Sequence, residues 1–307
     1  MTSTTTERQP SVTPGARDRP RDIEGVYRPP GLHWVGDGFR VAGYFSAIPG
    51  VVEKLSPFLL LDYHPPYVYA PTSGRRGVGV HPHRGFETVT LAWQGSVAHH
   101  DSAGGGGVIG PGDVQWMTAA SGILHKEYHE ERFSRAGGTF HMAQLWVNLP
   151  AAHKMAPPRY QPILAGQMGI VELPEGAGIV RVIAGEYRGA RGPAMTFSPV
   201  HLYDARLSEG GRLELPFPAR QNVAVLVMKG EIGVNDTTAR GDDFVLFGNA
   251  GDRIALEAHT ASQVLVLGGE PIDEPVVQYG PFVMNTEREI AQAIHDFNRG
   301  KFGHLDD

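Results

Sequence analysis

The sequence predicts an all-β protein made of two antiparallel β-barrels of the jelly-roll type, packed together and followed by one short C-terminal helix. The 307 residues include 40 glycines and 24 prolines, which implies many turns between short strands. Apolar and polar residues alternate in strand-length segments such as FETVTLAWQ, in which Val89, Leu91 and Trp93 share one face and Thr88 and Thr90 the other. Hydrophobic residues make up 41% of the chain, which is enough for a sizeable core.

The N-terminal half divides into a tail and a first barrel. Residues 1–25 are rich in Thr, Ser, Pro and Arg and predict a disordered tail. A domain over residues 26–160 follows, in which Gly36, Asp37 and Gly38 form a hairpin turn. The remaining strands of this domain are predicted in FLLLDYHPP, FETVTLAWQGSVAHHD, GPGDVQWMT and TFHMAQLWVNLP.

The C-terminal half predicts a second barrel and a helix. The proline-rich segment AAHKMAPPRYQPILAG is interpreted as the connection, and strands resume in a domain over residues 161–282. WQGSV is similar to MKGEIGV, and GPGDVQWM to ARGDDFVLF, which indicates two barrels of one plan. A capping box at Thr286 and Glu289 begins a helix within residues 283–307. The apolar stripe of this helix and the glycines that end it are Ile290, Ala293, Ile294, Phe297, Gly300 and Gly303.

Charge and composition exclude several classes of function. The net charge is -6, so direct binding to nucleic acid is not expected. The chain has no cysteine, which excludes disulfides, thiolate chemistry and cysteine-held metal sites. It contains no secretory signal pattern and no apolar run of about 18 residues. We therefore expect a cytoplasmic protein without a membrane segment, and a monomer.

Two pairs of potential metal ligands occur at strand spacing. His81 and His83 flank Pro82, and His125 and Glu127 lie two apart in GILHKEY. Because alternate residues of a strand share one face, each pair can direct both side chains at one ion. Pro82 has no N–H, which places its strand at a sheet edge or a bulge. The alternative is an ordinary polar strand end without a metal.

This donor set restricts the metal. Three imidazoles and one carboxylate would leave part of an octahedral coordination sphere open for water, substrate or O₂. Such a set suits Fe(II), Mn, Ni, Cu or Zn and disfavours Ca and Mg. Glu87, four residues after His83, could replace Glu127 as a ligand, support a ligand from behind, or form a salt bridge with Arg84.

Other polar and aromatic residues carry weaker signals. His99 and His100 end a strand and point in opposite directions, so at most one faces a cavity and solvated positions are expected. His141 is interpreted as a core or pocket-lining residue. The glycine run at residues 104–107 is no phosphate loop, because no Lys-Ser/Thr follows it. Core positions are predicted for three tryptophans, Trp93, Trp116 and Trp146.

Four segments together resemble the pirins, a family of the cupin superfamily: HPHRGFETVT, PGDVQWMTAASGILHKE, QLWVNLP and GPFVMNTEREI. The resemblance extends from Leu32 to Phe302. It implies a bicupin, with two cupin barrels face to face and a metal in the N-terminal one alone. It also implies that the metal is iron and that its ligands are His81, His83, His125 and Glu127. Glu87 would then lie next to the ligands without binding the metal.

The resemblance implies two kinds of function. Similar pirins oxygenate quercetin-type flavonols, opening the central ring with O₂ and releasing CO. On that basis we expect a dioxygenase for a flat aromatic substrate, in which Glu127 is the catalytic base for the flavonol 3-hydroxyl. Pirins also act as redox-sensing transcriptional co-regulators and as partners of metabolic enzymes, which makes a protein partner the alternative. A cupin isomerase, or a dioxygenase with another small substrate, is a third possibility.

Two departures from the family pattern affect the expected pocket. Lys126 stands between two ligand positions where a small residue is usual, and strand alternation predicts that it points away from the metal. LLLDYHPP replaces an acidic-aromatic segment and is expected to line the pocket.

Overall fold

Residues 19–306 are described in a computed structural model, and the chain forms two units of antiparallel β-structure with a helix near the C-terminus. The prediction of an all-β chain with two antiparallel units and one short helix near the C-terminus is confirmed. Each unit consists of one seven-stranded and one four-stranded sheet, so the sheets are open and face each other where closed barrels were predicted. No helix within residues 19–306 has the length and apolar character to cross a membrane.

The strands and helices alternate with short turns throughout. The strands up to the first 3₁₀ turn are β1 Ile23–Tyr27, β2 Leu32–Val35, β3 Phe39–Gly43, β4 Phe58–Tyr69, β5 Gly77–His83, β6 Phe86–Gln94, β7 Val97–Asp101, β8 Gly106–Ile109, β9 Val114–Thr118, β10 Ile123–His129 and β11 Gly138–Asn148. The later strands are β12 Arg159–Ile163, β13 Gly169–Glu172, β14 Gly178–Ala184, β15 Glu186–Tyr187, β16 Ala190–Arg191, β17 Val200–Leu207, β18 Arg212–Pro216, β19 Asn222–Lys229, β20 Glu231–Val234, β21 Thr237–Arg240, β22 Phe244–Phe247, β23 Arg253–Ala258, β24 Ser262–Gly269, β25 Val277–Tyr279 and β26 Phe282–Met284. The helices are α1 Tyr44–Ala47, α2 Val51–Lys54, α3 Glu131–Ala136 and α4 Glu287–Asn298, and 3₁₀ turns span Ala151–His153, Ala165–Gln167 and Pro174–Gly176.

The two units share one strand plan. The N-terminal sheets have the orders β12-β9-β6-β11-β4-β3-β2 and β5-β10-β7-β8, and the C-terminal sheets β1-β22-β19-β24-β17-β14-β13 and β18-β23-β20-β21. The similar segments WQGSV and MKGEIGV therefore occupy the β6–β7 and β19–β20 connections. GPGDVQWM and ARGDDFVLF lead into β9 and β22, which are again equivalent. The similarity in sequence reflects a repeated arrangement of strands.

The core lies between the seven-stranded sheets as well as inside each unit. Side chains of both large sheets join one buried cluster, including Leu91 and Trp116 from the first and Leu226 and Leu246 from the second. The interior of the C-terminal unit is filled with buried apolar side chains. The space inside the N-terminal unit is apolar at one end only, and its other end holds the polar cluster described below.

The structure differs from the predicted segment boundaries in two places. Of the predicted tail at residues 1–25, residues 1–18 lie outside the described part of the chain. Within the rest, β1 begins at Ile23 and pairs with β22, so it belongs to the C-terminal sheet. The guanidinium of Arg21 is buried and donates to the carbonyl oxygens of Gln221, Phe217 and Pro218. In the predicted connection, β12 pairs with β9 and extends the N-terminal sheet.

The C-terminal segment returns to the N-terminal unit. Helix α4 begins at the N-cap Thr286, whose hydroxyl accepts the Glu289 N–H at 3.2 Å, so the predicted cap is confirmed. The helix packs on β25 and β26, and the Val283 N–H of β26 donates to the Arg84 carbonyl oxygen at 3.0 Å. Gly85 permits this close approach, because its φ is +90° and a Cβ there would lie 1.9 Å from the Val283 carbonyl oxygen.

Candidate metal centre

Two neighbouring strands position the four predicted ligands. β5 and β10 pair antiparallel with His81 opposite His125, and the register shifts between His125 and Glu127. β5 is the edge strand of its sheet, as the proline between the two histidines predicts. The irregular register next to the histidines is a β-bulge, a feature that commonly redirects side chains beside functional sites.

The three imidazoles meet in one place. Their ring centroids are 4.9 Å apart for His81 and His83, 4.2 Å for His81 and His125, and 4.7 Å for His83 and His125. One ring nitrogen from each lies within 4.8 Å of the others, close enough to hold one metal ion. A second group of potential ligand atoms within the same limit consists of His99, His125 and Glu127.

The hydrogen bonds of these rings leave lone pairs directed at the cluster. Nδ1 of His81 lies 2.8 Å from the Gly79 carbonyl oxygen, which can only accept, so Nδ1 carries the hydrogen and Nε2 is free. Nδ1 of His83 and Nε2 of His125 are buried and have no hydrogen-bond partner among residues 19–306. Burial lowers the pKa of both His83 and His125 well below the ordinary imidazole value, and the neighbouring imidazoles lower it further. Neutral rings with unpartnered nitrogens fit a divalent metal.

The carboxylate of Glu127 is held by three donors. Oε1 accepts from Thr90 Oγ1 at 3.2 Å and from Gln115 Nε2 at 3.0 Å, and Oε2 accepts from Gln144 Nε2 at 2.9 Å. These bonds fix the orientation of a carboxylate that is only 5% exposed. A carboxylate oriented in this way can bind a cation or accept a proton.

His99 is part of the same cluster, so the solvated position predicted for it is wrong. Its side chain is fully buried, and its ring is stacked on Tyr160 with centroids 5.1 Å apart. Nδ1 of His99 lies 3.1 Å from Gln115 Nε2 and 3.4 Å from Nδ1 of His125. Nε2 of His99 lies 3.4 Å from Oδ2 of Asp101. His100, on the opposite face of β7, is exposed.

A cavity of about 340 Å³ opens beside the cluster. His81, His83 and Glu127 line its polar side, together with Thr90 and Gln144. Its other walls are largely apolar and come from Val35, Phe39, Val41, Leu60, Met142, Trp146 and Pro281. The volume is at the lower end of the range for small-molecule sites, and the walls suit a flat aromatic molecule.

Glu87 lies away from this cavity. It is 1% exposed and accepts a hydrogen bond from Thr118 Oγ1 at 2.6 Å. The proposed salt bridge between Glu87 and Arg84 is absent, because Arg84 pairs with Asp296 of α4 at 3.0 Å. Arg159, at 3.9 Å, is the cation nearest Glu87 among the ion pairs of residues 19–306. Glu87 lies an even number of residues from His83, but this spacing does not bring it to the cluster. Arg84 and Gly85 interrupt the strand between the two residues, because β5 ends at His83 and β6 begins at Phe86.

Several other predicted positions are now fixed. Lys126 points away from the cluster and donates to the Asp306 carbonyl oxygen. His141 is buried, with Nε2 2.9 Å from the Tyr63 hydroxyl, outside the metal cavity. Trp93 and Trp116 are core residues as predicted. Trp146 differs, because it lines the cavity and its ring centroid lies 5.3 Å from that of His83.

Sequence reasoning missed two groups that support the site. Gln115 and Gln144 lie on β9 and β11 and reach Glu127 from the facing sheet, which no local spacing reveals. Asp62 lies in LLLDYHPP, the segment that was expected to line the pocket, and alternation places it on the same face as Leu60. Burial raises the pKa of Asp62 to about 6, although the charge of His33 opposes the shift.

Comparison with known proteins identifies the family. Residues 38–147 match Pirin and residues 202–303 match the Pirin C-terminal cupin domain. A Pseudomonas aeruginosa protein named "Putative quercetin 2,3-dioxygenase" is 53% identical over 282 residues, covering 92% of this chain and 98% of that protein. The crystal structure of quercetin 2,3-dioxygenase from Acinetobacter baumannii has a TM-score of 0.90 at 49% identity, covering 94% of this chain and 100% of that one. A pirin-like protein of Solanum lycopersicum is 38% identical over 82% of this chain and 84% of its own length. The chain therefore belongs to the pirin family.

Proposed function

We propose that this chain is a metal-dependent dioxygenase that opens the central ring of quercetin-type flavonols with O₂. The observation that carries the proposal is a cluster of three imidazoles beside an apolar cavity, two of which are buried and have a ring nitrogen without a hydrogen-bond partner among residues 19–306. The names of the relatives from Pseudomonas aeruginosa and Acinetobacter baumannii support the same substrate class. The residues that would hold the metal are His81, His83, His125 and Glu127.

Iron(II) is the metal that we propose among those compatible with this donor set. Imidazole and carboxylate ligands with open positions are typical of non-haem iron oxygenases. A bound Fe(II) would supply the redox chemistry that allows O₂ to react with a phenolate. Loading the metal-free protein in turn with Fe(II), Mn(II), Ni(II), Cu(II) and Zn(II) and measuring turnover ranks the metals. The proposal requires Fe(II) to give the highest rate at equal occupancy.

The residues around the cavity bind the substrate, exclude water and accept its proton. The apolar walls, including Phe39 and Trp146, bind the flat rings and exclude water. Glu127 accepts the proton of the flavonol 3-hydroxyl at a carboxylate oxygen. Gln144, which donates to Oε2 at 2.9 Å, keeps that oxygen directed into the cavity. Deprotonation makes the ring electron-rich, which is the condition for its attack by O₂.

Quercetin turnover tests the proposal directly. The iron-loaded protein is mixed with quercetin, and loss of flavonol absorbance, O₂ uptake and CO release are followed together. We expect all three in equal molar amounts. His83→Ala should abolish them along with metal binding, whereas His100→Ala, on the exposed face of the same sheet, should leave them unchanged. Full iron occupancy without O₂ uptake would refute the flavonol proposal.

A regulatory role is the second proposal, and one contact favours it. Arg84 directly follows the potential ligand His83 and forms a buried ion pair with Asp296 of the surface helix α4. A change in the positions of the ligands when the metal is oxidised can therefore be transmitted through Arg84 to α4, which is a surface that a protein partner can bind. Hydrogen exchange of residues 287–298 should differ between the Fe(II) and Fe(III) forms. Identical exchange in both forms would exclude this connection.

A further inference from the structure

One histidine of the cluster lies behind the ligands and has no role in the proposed coordination. His99 is fully buried on β7, and its two ring nitrogens face different partners. Nε2 lies 3.4 Å from Asp101 Oδ2, while Nδ1 lies 3.4 Å from Nδ1 of His125. Asp101, His99 and His125 thus form a continuous series of contacts that ends at the cluster with His81 and His83, and we call this series the Asp101 chain.

The positions of the hydrogens in the Asp101 chain follow from its acceptors. The carboxylate of Glu127 can only accept, so the Gln115 amide must present its NH₂ group to Oε1, at 3.0 Å. The second hydrogen of that NH₂ group points at Nδ1 of His99, 3.1 Å away. Nδ1 of His99 is therefore an acceptor, and the hydrogen of a neutral His99 ring is on Nε2, facing Asp101 Oδ2.

The same logic fixes His125. Because Nδ1 of His99 carries no hydrogen, a hydrogen bond between the two Nδ1 atoms can only have His125 as its donor, which shares the lone pair of His99 with Gln115. A neutral His125 with its hydrogen on Nδ1 has a bare lone pair on Nε2. Nε2 of His125 is indeed buried and has no hydrogen-bond partner among residues 19–306. This observation agrees with a hydrogen on Nδ1, the nitrogen that faces His99.

The far end of the Asp101 chain is held independently of His99. Oδ1 of Asp101 accepts the N–H groups of Ala103 at 2.9 Å and Gly105 at 2.8 Å, which turns Oδ2 towards the ring. Stacking on Tyr160 fixes the plane of that ring. A metal-ligating imidazole commonly donates its second N–H to such an outer group, which fixes its tautomer.

We propose that Asp101 and His99 are positioning residues that hold His125 in the tautomer with its hydrogen on Nδ1, and so present Nε2 to the metal. The inference rests on the proposed metal site, because it concerns how one ligand of that site is prepared. His99 acts through His125 and does not itself bind the ion.

Asp101→Asn changes the group that faces Nε2 of His99 from an acceptor to a donor, with little change in the shape of the side chain. The amide oxygen keeps the Ala103 and Gly105 bonds, so its NH₂ group faces Nε2 of His99. Nε2 of His99 then faces a donor, so the tautomer with its hydrogen on Nε2 loses the acceptor that stabilised it, and the two tautomers of the ring become comparable in energy. Wherever the hydrogen of His99 is on Nδ1, His125 loses its acceptor and carries its own hydrogen on Nε2. His99→Phe, which retains stacking on Tyr160, removes the acceptor outright.

The first measurement uses metal-free protein. Long-range ¹H–¹⁵N correlation spectra of uniformly ¹⁵N-labelled protein report which nitrogen of His125 carries hydrogen. We expect Nδ1 alone in the wild type and a mixture of Nδ1 and Nε2 in Asp101→Asn. Wild-type protein with its hydrogen on Nε2, or a variant with an unchanged tautomer, overturns the inference. Because no metal is present, this result is independent of whether the metal site is correct.

The second measurement is metal affinity, with Co²⁺ as the probe in competition with a chelator. We expect Asp101→Asn and His99→Phe to weaken Co²⁺ binding 10- to 100-fold. Asp113→Asn is the matched control, because Asp113 also accepts from backbone N–H groups but lies in a turn outside the cavity, and it should bind as the wild type does. Unchanged Co²⁺ affinity in both Asp101→Asn and His99→Phe overturns the inference. A wild-type protein that binds no divalent metal refutes the proposed metal site instead.

Discussion

Glu87→Gln gives the sharpest test of the electrostatics of this fold. Burial raises the pKa of Glu87 to about 7 from 4.5, although the hydrogen bond from Thr118 and the charge of Arg159 lower it. The side chain is 1% exposed, so solvent does not screen the effect. An amide cannot ionise, and the substitution therefore removes the cost of a buried charge at neutral pH.

The sign and size of the effect follow from linkage. Between pH 4.5 and about 7 the folded protein holds a proton on Glu87 that the unfolded chain has lost. The free energy of unfolding contributed by Glu87 therefore falls as the pH rises through this window and is constant above it. The shift from 4.5 to about 7, at about 1.4 kcal/mol per unit, gives about 3 kcal/mol.

The assay is urea unfolding of the metal-free protein at several pH values from 5 to 8. The free energy of unfolding of the wild type should fall with pH relative to Glu87→Gln, by about 2–3 kcal/mol across the series. Glu175→Gln, at an exposed position, should run parallel to the wild type. Parallel curves for Glu87→Gln and the wild type would refute the reasoning. Glu87→Gln should also retain full metal occupancy, because Glu87 lies away from the cluster.

Three further outcomes are expected. His83→Ala should lose stoichiometric metal, measured by elemental analysis, and retained occupancy would contradict the ligand assignment. Asp296→Ala leaves the Arg84 guanidinium buried without its partner, so urea unfolding should show a loss of about 3–5 kcal/mol, and a loss below about 1 kcal/mol would contradict that account. Gln144→Leu removes the sole donor to Oε2 of Glu127 among residues 19–306 and should lower quercetin turnover about tenfold or more at unchanged metal content, whereas an unchanged rate would exclude its role.

Local patterns in the sequence were sufficient wherever the relevant contacts are local. The spacing of His81 and His83 places both on one face of a strand whatever the rest of the chain does. The capping box at Thr286 likewise depends on residues three apart, and the helix begins where it predicts. The repeated strand plan could be predicted because equivalent turns carry similar segments.

Burial of a polar residue could not be predicted from its own strand. His99 was predicted to lie at a solvated strand end, but it is the central residue of β7. The strands β10 and β8 flank it, and Tyr160 of β12 covers its ring. Trp146 reads as core, yet it lies where the two sheets of the N-terminal unit separate and leave a cavity. In both cases the outcome depends on how two sheets pack, which alternation along one strand does not encode.

The return of the C-terminal segment has a consequence for how the protein matures. Arg84 finds its partner Asp296 212 residues later in the chain, and Pro281 forms part of the cavity wall. At ordinary rates of translation, roughly 10–40 s separate the emergence of these groups from the ribosome. A nascent N-terminal unit would meanwhile present its histidines through an open side, accessible to whichever transition metal is at hand. The cavity therefore reaches its final form only after residues 281–296 have been synthesised and have packed against the N-terminal unit.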